Sequence, residues 1–207
     1  PWFAMELVDG VSLGALLAAV ADTPPQDRSA AKLLAPLGWA CTAQNPSYVA
    51  TVLRMVAEAA EALHHAHEHG LLHRDVKPSN LMIDREGRVL VIDFGLARTL
   101  DGAADELTMT RDLLGSPSYL PPEQLGDPRP PASVRGDVYA LGAVLYEALA
   151  GRPPHAAREL AALLRQVATA TPAPVSRWHR GLPRDVVTIC HRAIERDPAR
   201  RYPSAAA

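Results

Sequence analysis

The sequence has very little cysteine and very little lysine. Cys41 and Cys190 are the only thiols, they lie far apart, and they match no metal-ligand spacing. A disulfide framework or a cysteine-rich zinc module is therefore excluded, and two unpaired thiols suit a reducing, cytoplasmic compartment. Lys32 and Lys77 are the only lysines, the other basic residues being arginine. Charge of one sign is not in excess either. The 21 basic and 23 acidic residues leave a formal net charge of −2, so no overall field draws the chain to nucleic acid or to an anionic membrane. No apolar run reaches the roughly 18 residues of a membrane span. No charged-then-apolar leader opens the chain. Pro1 stands where a methionine would start a protein, inside an apolar stretch, which is what a segment of a longer chain would show.

What is present describes a globular domain. The chain has 207 residues, of which 48% are hydrophobic and 21% charged, enough apolar matter for one core and ordinary for a folded protein. Trp2 to Val8 is short and apolar, and Asp9-Gly10 follows it, predicting a strand and a turn. Ser12 can cap a helix over Leu13 to Val20. Residues 22–46 are rich in Pro and Ala, with no clear period. They read as a loop or insertion, with a helical turn around Lys32 to Leu37.

From Ser47 onward Val52, Met55, Val56, Ala59, Leu63 and Ala66 recur at helical spacing, with Gly70 as the stop. Leu81 to Ile83 and Val89 to Ile92 read as a hairpin joined by residues 84–88. Residues 100–131 form a long polar loop, a length that is usually functional or disordered. Val138 to Ala150 is apolar on every face and predicts a fully buried helix. Ala156 to Ala170 and Pro183 to Glu195 are two further helices. Ser204 to Ala207 reads as the start of another.

The chemistry lies in two short motifs. His73-Arg74-Asp75-Val76-Lys77-Pro78-Ser79-Asn80 sits between the long helix and the hairpin, and Asp93-Phe94-Gly95 closes the hairpin's second strand. Further on come Pro121-Pro122-Glu123, Asp137-Val138-Tyr139-Ala140-Leu141-Gly142 and Asp197-Pro198-Ala199-Arg200-Arg201. In this order and spacing the motifs resemble those of the bacterial, Hanks-type serine/threonine protein kinases, in the C-terminal lobe of the catalytic domain. The triplet ending in Glu123 departs from the family's usual Ala-Pro-Glu but keeps the glutamate.

The resemblance implies an α+β, protein-kinase-like lobe, mostly helical, with a small β-hairpin at the active site. Residues 1–207 would be a partial kinase domain: a hinge over about 1–10, the helical lobe over 11–207, and an insertion over about 22–46. The N-terminal lobe and the last helix would lie outside it. The implied activity is transfer of the ATP γ-phosphate to Ser or Thr hydroxyls of protein substrates, with ATP and Mg2+ as cofactors. Phosphoryl transfer is catalysed mainly by positioning and charge neutralisation. On that basis Asp75 is the catalytic base, Lys77 offsets phosphate charge, and Asn80 and Asp93 hold magnesium. Backbone groups of Glu6 and Val8 would bind adenine, with Met5 as gatekeeper, Met82 as floor and Leu13 beneath.

Thr108 and Thr110 match paired threonines that such kinases autophosphorylate, with Arg74 as phosphate partner. His73 and Phe94 are packing residues, Asp137 anchors the catalytic loop's backbone, and Glu123 is expected to form a largely buried ion pair with Arg201.

The histidines at 64, 65, 67, 69 and 73 are expected to belong to a helix end and its surface. A zinc site there is disfavoured, because no Glu follows His65 in the metalloprotease pattern and no Cys is near. No Gly-x-Gly occurs, and Lys32 lacks a Val-Ala-x-Lys context, so this segment alone is expected to be inactive. The alternative is a natural half-kinase acting as a non-catalytic scaffold. The resemblance also allows a dimer, and a membrane anchor beyond this segment.

Overall fold

The computed structural model describes residues 7–38, 47–94 and 117–207. Within them a small antiparallel sheet sits beside a set of helices. Strand β1 (Gly10–Ser12) leads directly into helix α1 (Leu13–Ala18). Helix α2 (Ala30–Leu34) and the long α3 (Tyr48–Glu68) follow. The hairpin β2 (Leu81–Asp84) and β3 (Val89–Val91) comes next, then α4 (Val134–Ala150), α5 (Leu160–Thr169) and α6 (Arg184–Ala193).

Three serines start three helices by the same device. The side chains of Ser12, Ser29 and Ser47 accept hydrogen bonds from the backbone N–H of Ala15, Lys32 and Ala50, each satisfying a donor that has no partner inside its helix. Gly70 and Gly151 end α3 and α4 in the left-handed conformation, at φ 74° in both cases.

Helix α4 is the axis of the molecule. Val138 to Tyr146 and Ala148 to Ala150 are all buried, and the helix packs on α3 to one side and on α6 to the other. Met55, Ala59 and Leu63 line the α3 side, and Val186, Cys190 and Ile194 the α6 side. Each fully buried aliphatic side chain contributes about 1.5–3 kcal/mol through the water it sheds. Burial pushes the Cys190 thiol up to about 12, so it behaves as an inert apolar residue.

The structure departs from the sequence reading in several places. Residues 1–6 lie outside the described part, and Leu7 to Asp9 have no regular structure. The strand forms at Gly10–Ser12, where a turn was expected, so the hairpin becomes a three-stranded sheet in the order β1-β2-β3. Gly10 lies opposite Asp84, and a Cβ there would sit 2.3 Å from the Ile83 carbonyl oxygen. This glycine is needed for close approach of two strands rather than for a turn.

Helix α1 stops at Ala18. In the stretch over 22–46 the expected helical turn around Lys32 to Leu37 is present as α2 and a 3-10 turn at Ala35–Leu37, and a second 3-10 turn lies at Pro25–Asp27. Rather than looping outside, the stretch buries Ala30, Leu33, Leu34 and Leu37 in the core. Helix α4 begins four residues earlier than its apolar run, at Val134. Residues 156–159 stay outside α5, and residues 204–206 make a turn rather than a helix. Among the described residues no helix is long and apolar enough to cross a membrane.

Candidate active site

The site is built on the loop between α3 and β2. Asp137, in the first turn of α4, reaches up to hold that loop. Its Oδ2 accepts the backbone N–H of His73 at 2.8 Å, and its Oδ1 accepts that of Arg74 at 2.8 Å. These bonds fix a strained backbone, since Arg74 has φ 67°, a region costly for a residue with a Cβ. The His67 ring, from the end of α3, also bonds Asp137 Oδ2 at 2.8 Å, and both side chains are buried. His67 is therefore an inner residue, which corrects the sequence reading that placed it with the helix end and its surface.

His73 is fully buried and ties the loop to the sheet. Its Nδ1 accepts the Asp75 N–H at 3.2 Å, while its Nε2 lies 2.9 Å from the Ile92 carbonyl oxygen. One nitrogen accepts and the other must donate, so this network requires a neutral ring protonated at Nε2. The ring packs against Phe94 with centroids 4.7 Å apart.

With its backbone set, the loop gathers three side chains. Lys77 Nζ donates to Asp75 Oδ2 at 2.6 Å. Asn80 Nδ2 donates to the Asp75 carbonyl at 2.9 Å and lies 3.3 Å from Oδ2. Asn80 is buried while half of the Asp75 side chain faces solvent, so the carboxylate is held from below and open above. Across the sheet, the Ile92 N–H donates to the Asn80 carbonyl at 2.9 Å, which brings the strand leading to Asp93 alongside Asn80. Asp93 is exposed and has φ 60°, a second left-handed residue that turns the chain out of the sheet.

Met82 and Val8 are half-buried, and Leu13 is buried beneath the sheet. Met5 and Glu6, like Thr108 and Thr110, lie outside the described residues.

Glu123 and Arg201 meet in a bidentate pair at 2.8 and 2.6 Å, with the arginine side chain fully buried. Beside the loop that carries Asp75 lies a cavity of about 350 Å³, lined among others by Lys77, Ser79, Tyr119, Glu147 and Arg28. The Tyr119 hydroxyl donates to Glu147 Oε2. Burial holds the Glu147 carboxyl above the usual range, and the Tyr119 bond offsets this in part.

Sequence reasoning missed His67, Glu147 and Arg28. His67 had a signal, for it continues the four-residue rhythm of Met55, Ala59 and Leu63 along the buried stripe of α3. Arg28 and Glu147 had none, because only the fold brings them to one cavity.

The family model for the protein kinase domain matches residues 3–207. The chain belongs to the protein kinase domain family. It is 35% identical over its whole length to serine/threonine-protein kinase PknB of Mycolicibacterium smegmatis. It is 33% identical to PknB of Mycobacterium tuberculosis strain H37Ra and 34% identical to PknB of Mycobacterium leprae. In each case it spans 29% of the relative's length.

Proposed function

We propose that this chain carries the catalytic loop of a bacterial serine/threonine protein kinase, which moves the γ-phosphate of ATP to a Ser or Thr hydroxyl of a protein substrate. The observation that carries the reading is the convergence of Lys77 and Asn80 on one half-exposed carboxylate, Asp75. Asp75 orients the attacking hydroxyl and accepts its proton. Lys77 bonds Asp75 and offsets negative charge on the group being transferred. Asn80 keeps Asp75 in place through two hydrogen bonds from its amide nitrogen.

The remaining oxygens fit a hard cation. Both nearby bonds of the Asn80 side chain to Asp75 come from its nitrogen, leaving Oδ1, among the described residues, with only a long 3.4 Å contact from Ser79. Asp93 presents an exposed carboxylate just past the end of β3. Magnesium takes oxygen ligands and few protein groups, so Asn80 and Asp93 are the residues that would hold it. When bound with ATP it neutralises phosphate charge. The half-buried Met82 and Val8 and the buried Leu13 make an apolar bed suited to adenine, which the hinge over residues 1–10 would complete.

Arg74 is exposed beside Asp75, and its guanidinium is the partner that a phosphate on Thr108 or Thr110 would take. Mass spectrometry of the active full-length protein should find phosphate on one of them.

The decisive test is Asp75→Asn in the full-length protein. Transfer of labelled phosphate from ATP should fall by a factor of about 10²–10⁴, the usual contribution of a general base, with the fold unchanged. Transfer at the parent rate would sink the assignment. The 207-residue segment by itself should transfer none, because it contains neither a glycine-rich loop nor the strand lysine that kinases use.

A further inference from the structure

Charge is unevenly divided along this chain. Residues 152–207 hold ten arginines against four carboxylates, an excess of six positive charges in a molecule whose net charge is −2. Arg201 is buried against Glu123, and the other nine arginines are all exposed. Among the described residues, none of these nine forms an ion pair with a carboxylate.

Two of them converge on one aromatic ring. Arg152, just past the end of α4, places its guanidinium carbon 4.6 Å from the centroid of Trp178. Arg177, in the 3-10 turn Val175–Arg177, places its own at 5.3 Å. The indole itself is anchored: its Nε1–H donates to the Tyr146 hydroxyl at 2.9 Å, and that hydroxyl donates to the Ala173 carbonyl at 2.9 Å. Residues 25 positions apart are thus brought to a fixed platform, and Arg180 is exposed close by in the chain.

A guanidinium stacked on an indole engages the ring through its planar face. Its N–H edges have no partner among the described residues and remain available for a bidentate bond to a carboxylate. Stacking also removes part of the rotamer freedom that usually makes exposed ion pairs weak. The platform is poorly suited to a lipid surface. Its aromatic ring is half-buried and hydrogen-bonded, and the exposed large apolar residues of this region are only Leu160 and Ile189. An interfacial segment needs a broad apolar face to insert.

We propose that the Arg152–Trp178–Arg177 cluster is a docking surface for an acidic peptide segment of a partner protein, whose carboxylates take the exposed guanidinium edges. The surface uses none of the residues assigned to phosphoryl transfer, so the two readings stand or fall separately.

The test is fluorescence anisotropy of the full chain with a fluorescein-labelled twelve-residue peptide of alternating glutamate and serine. Binding should weaken steeply with added salt, as exposed ion pairs do. The double variant Arg152→Gln/Arg177→Gln should bind about tenfold more weakly, as loss of two charge-assisted pairs requires. Arg85→Gln, an exposed arginine paired with Asp9 elsewhere, should bind like the parent. Unchanged affinity in the double variant would overturn the proposal, as would an equal loss in Arg85→Gln. Tighter binding to vesicles containing phosphatidylserine than to the peptide would overturn it in favour of a membrane surface.

Discussion

Every N–H of the Arg201 guanidinium has an acceptor. Nε donates to the Glu195 carbonyl, Nη1 to Glu123 and the Arg135 carbonyl, and Nη2 to Glu123 and the Arg196 carbonyl. The group also lies 4.7 Å from the centre of the Tyr139 ring. A buried cation is tolerated only when it is paired and fully hydrogen-bonded, and this one meets both conditions. Arg201→Ala should destabilise the protein by about 3–5 kcal/mol, because Glu123 and three carbonyls lose their donors. Arg201→Lys should recover only part of this, since an ammonium cannot reproduce the planar fork. Urea melts read both effects, and an Arg201→Ala midpoint equal to the parent's would refute the account.

At the scale of elements, the contact between α4 and α6 is set by a missing side chain. A Cβ on Gly142 would lie 2.5 Å from the Ala193 Cβ and 3.0 Å from a methyl of Ile194. The two helices approach closely because Gly142 has nothing to interpose. Gly142→Ala gains helix propensity but must push the helices apart, and overpacking of this kind costs about 1–3 kcal/mol. Thermal unfolding should show a lower midpoint for Gly142→Ala, whereas a raised midpoint would mean that α6 shifts freely.

The same logic applies where α3 meets α4. Tyr48 opens α3, and its hydroxyl donates to the Ala148 carbonyl at 2.7 Å. The Arg28 Nη1 reaches the same carbonyl at 3.4 Å, tying the segment ahead of α3 to the end of α4.

For the molecule as a whole, the buried His155 and His179 and the half-buried His191 contribute to the response to acid. Burial holds His155, His179 and His191 below the usual imidazole value. His191 must stay neutral at Nε2 to accept the Val175 N–H at 3.0 Å. In the unfolded chain the same rings protonate near pH 6.5. Depressed values in the fold mean that stability is fully present above pH 6.5. It is lost as the pH falls toward the folded-state values, because the unfolded chain takes up protons first. Glu147 acts in the opposite sense, since its carboxyl is raised, and a variant is needed to separate the two. His155→Phe should reduce the loss of stability between pH 7 and pH 5 in urea melts. An identical slope in parent and variant would remove His155 from the explanation.

Local chemistry made much of this legible without coordinates. Ser12 and Ser47 as helix starts, Gly70 as a stop, and the apolar run of α4 follow from capping, left-handed glycine and periodicity, which act over a few residues. The motifs around Asp75, Asp93 and Glu123 identified the kinase resemblance, because that chemistry demands particular side chains at close spacing. What the sequence could not show is who meets whom. Gly10 looked like a turn until its strand was seen to press on Ile83. Likewise His67 looked like surface until Asp137 arrived beneath it. Arg28, Arg152 and Trp178 had no visible role until helix packing brought their partners from distant positions. A residue's own preferences are written in its neighbours along the chain, but its burial and its partners depend on contacts between segments, and only the folded molecule supplies those.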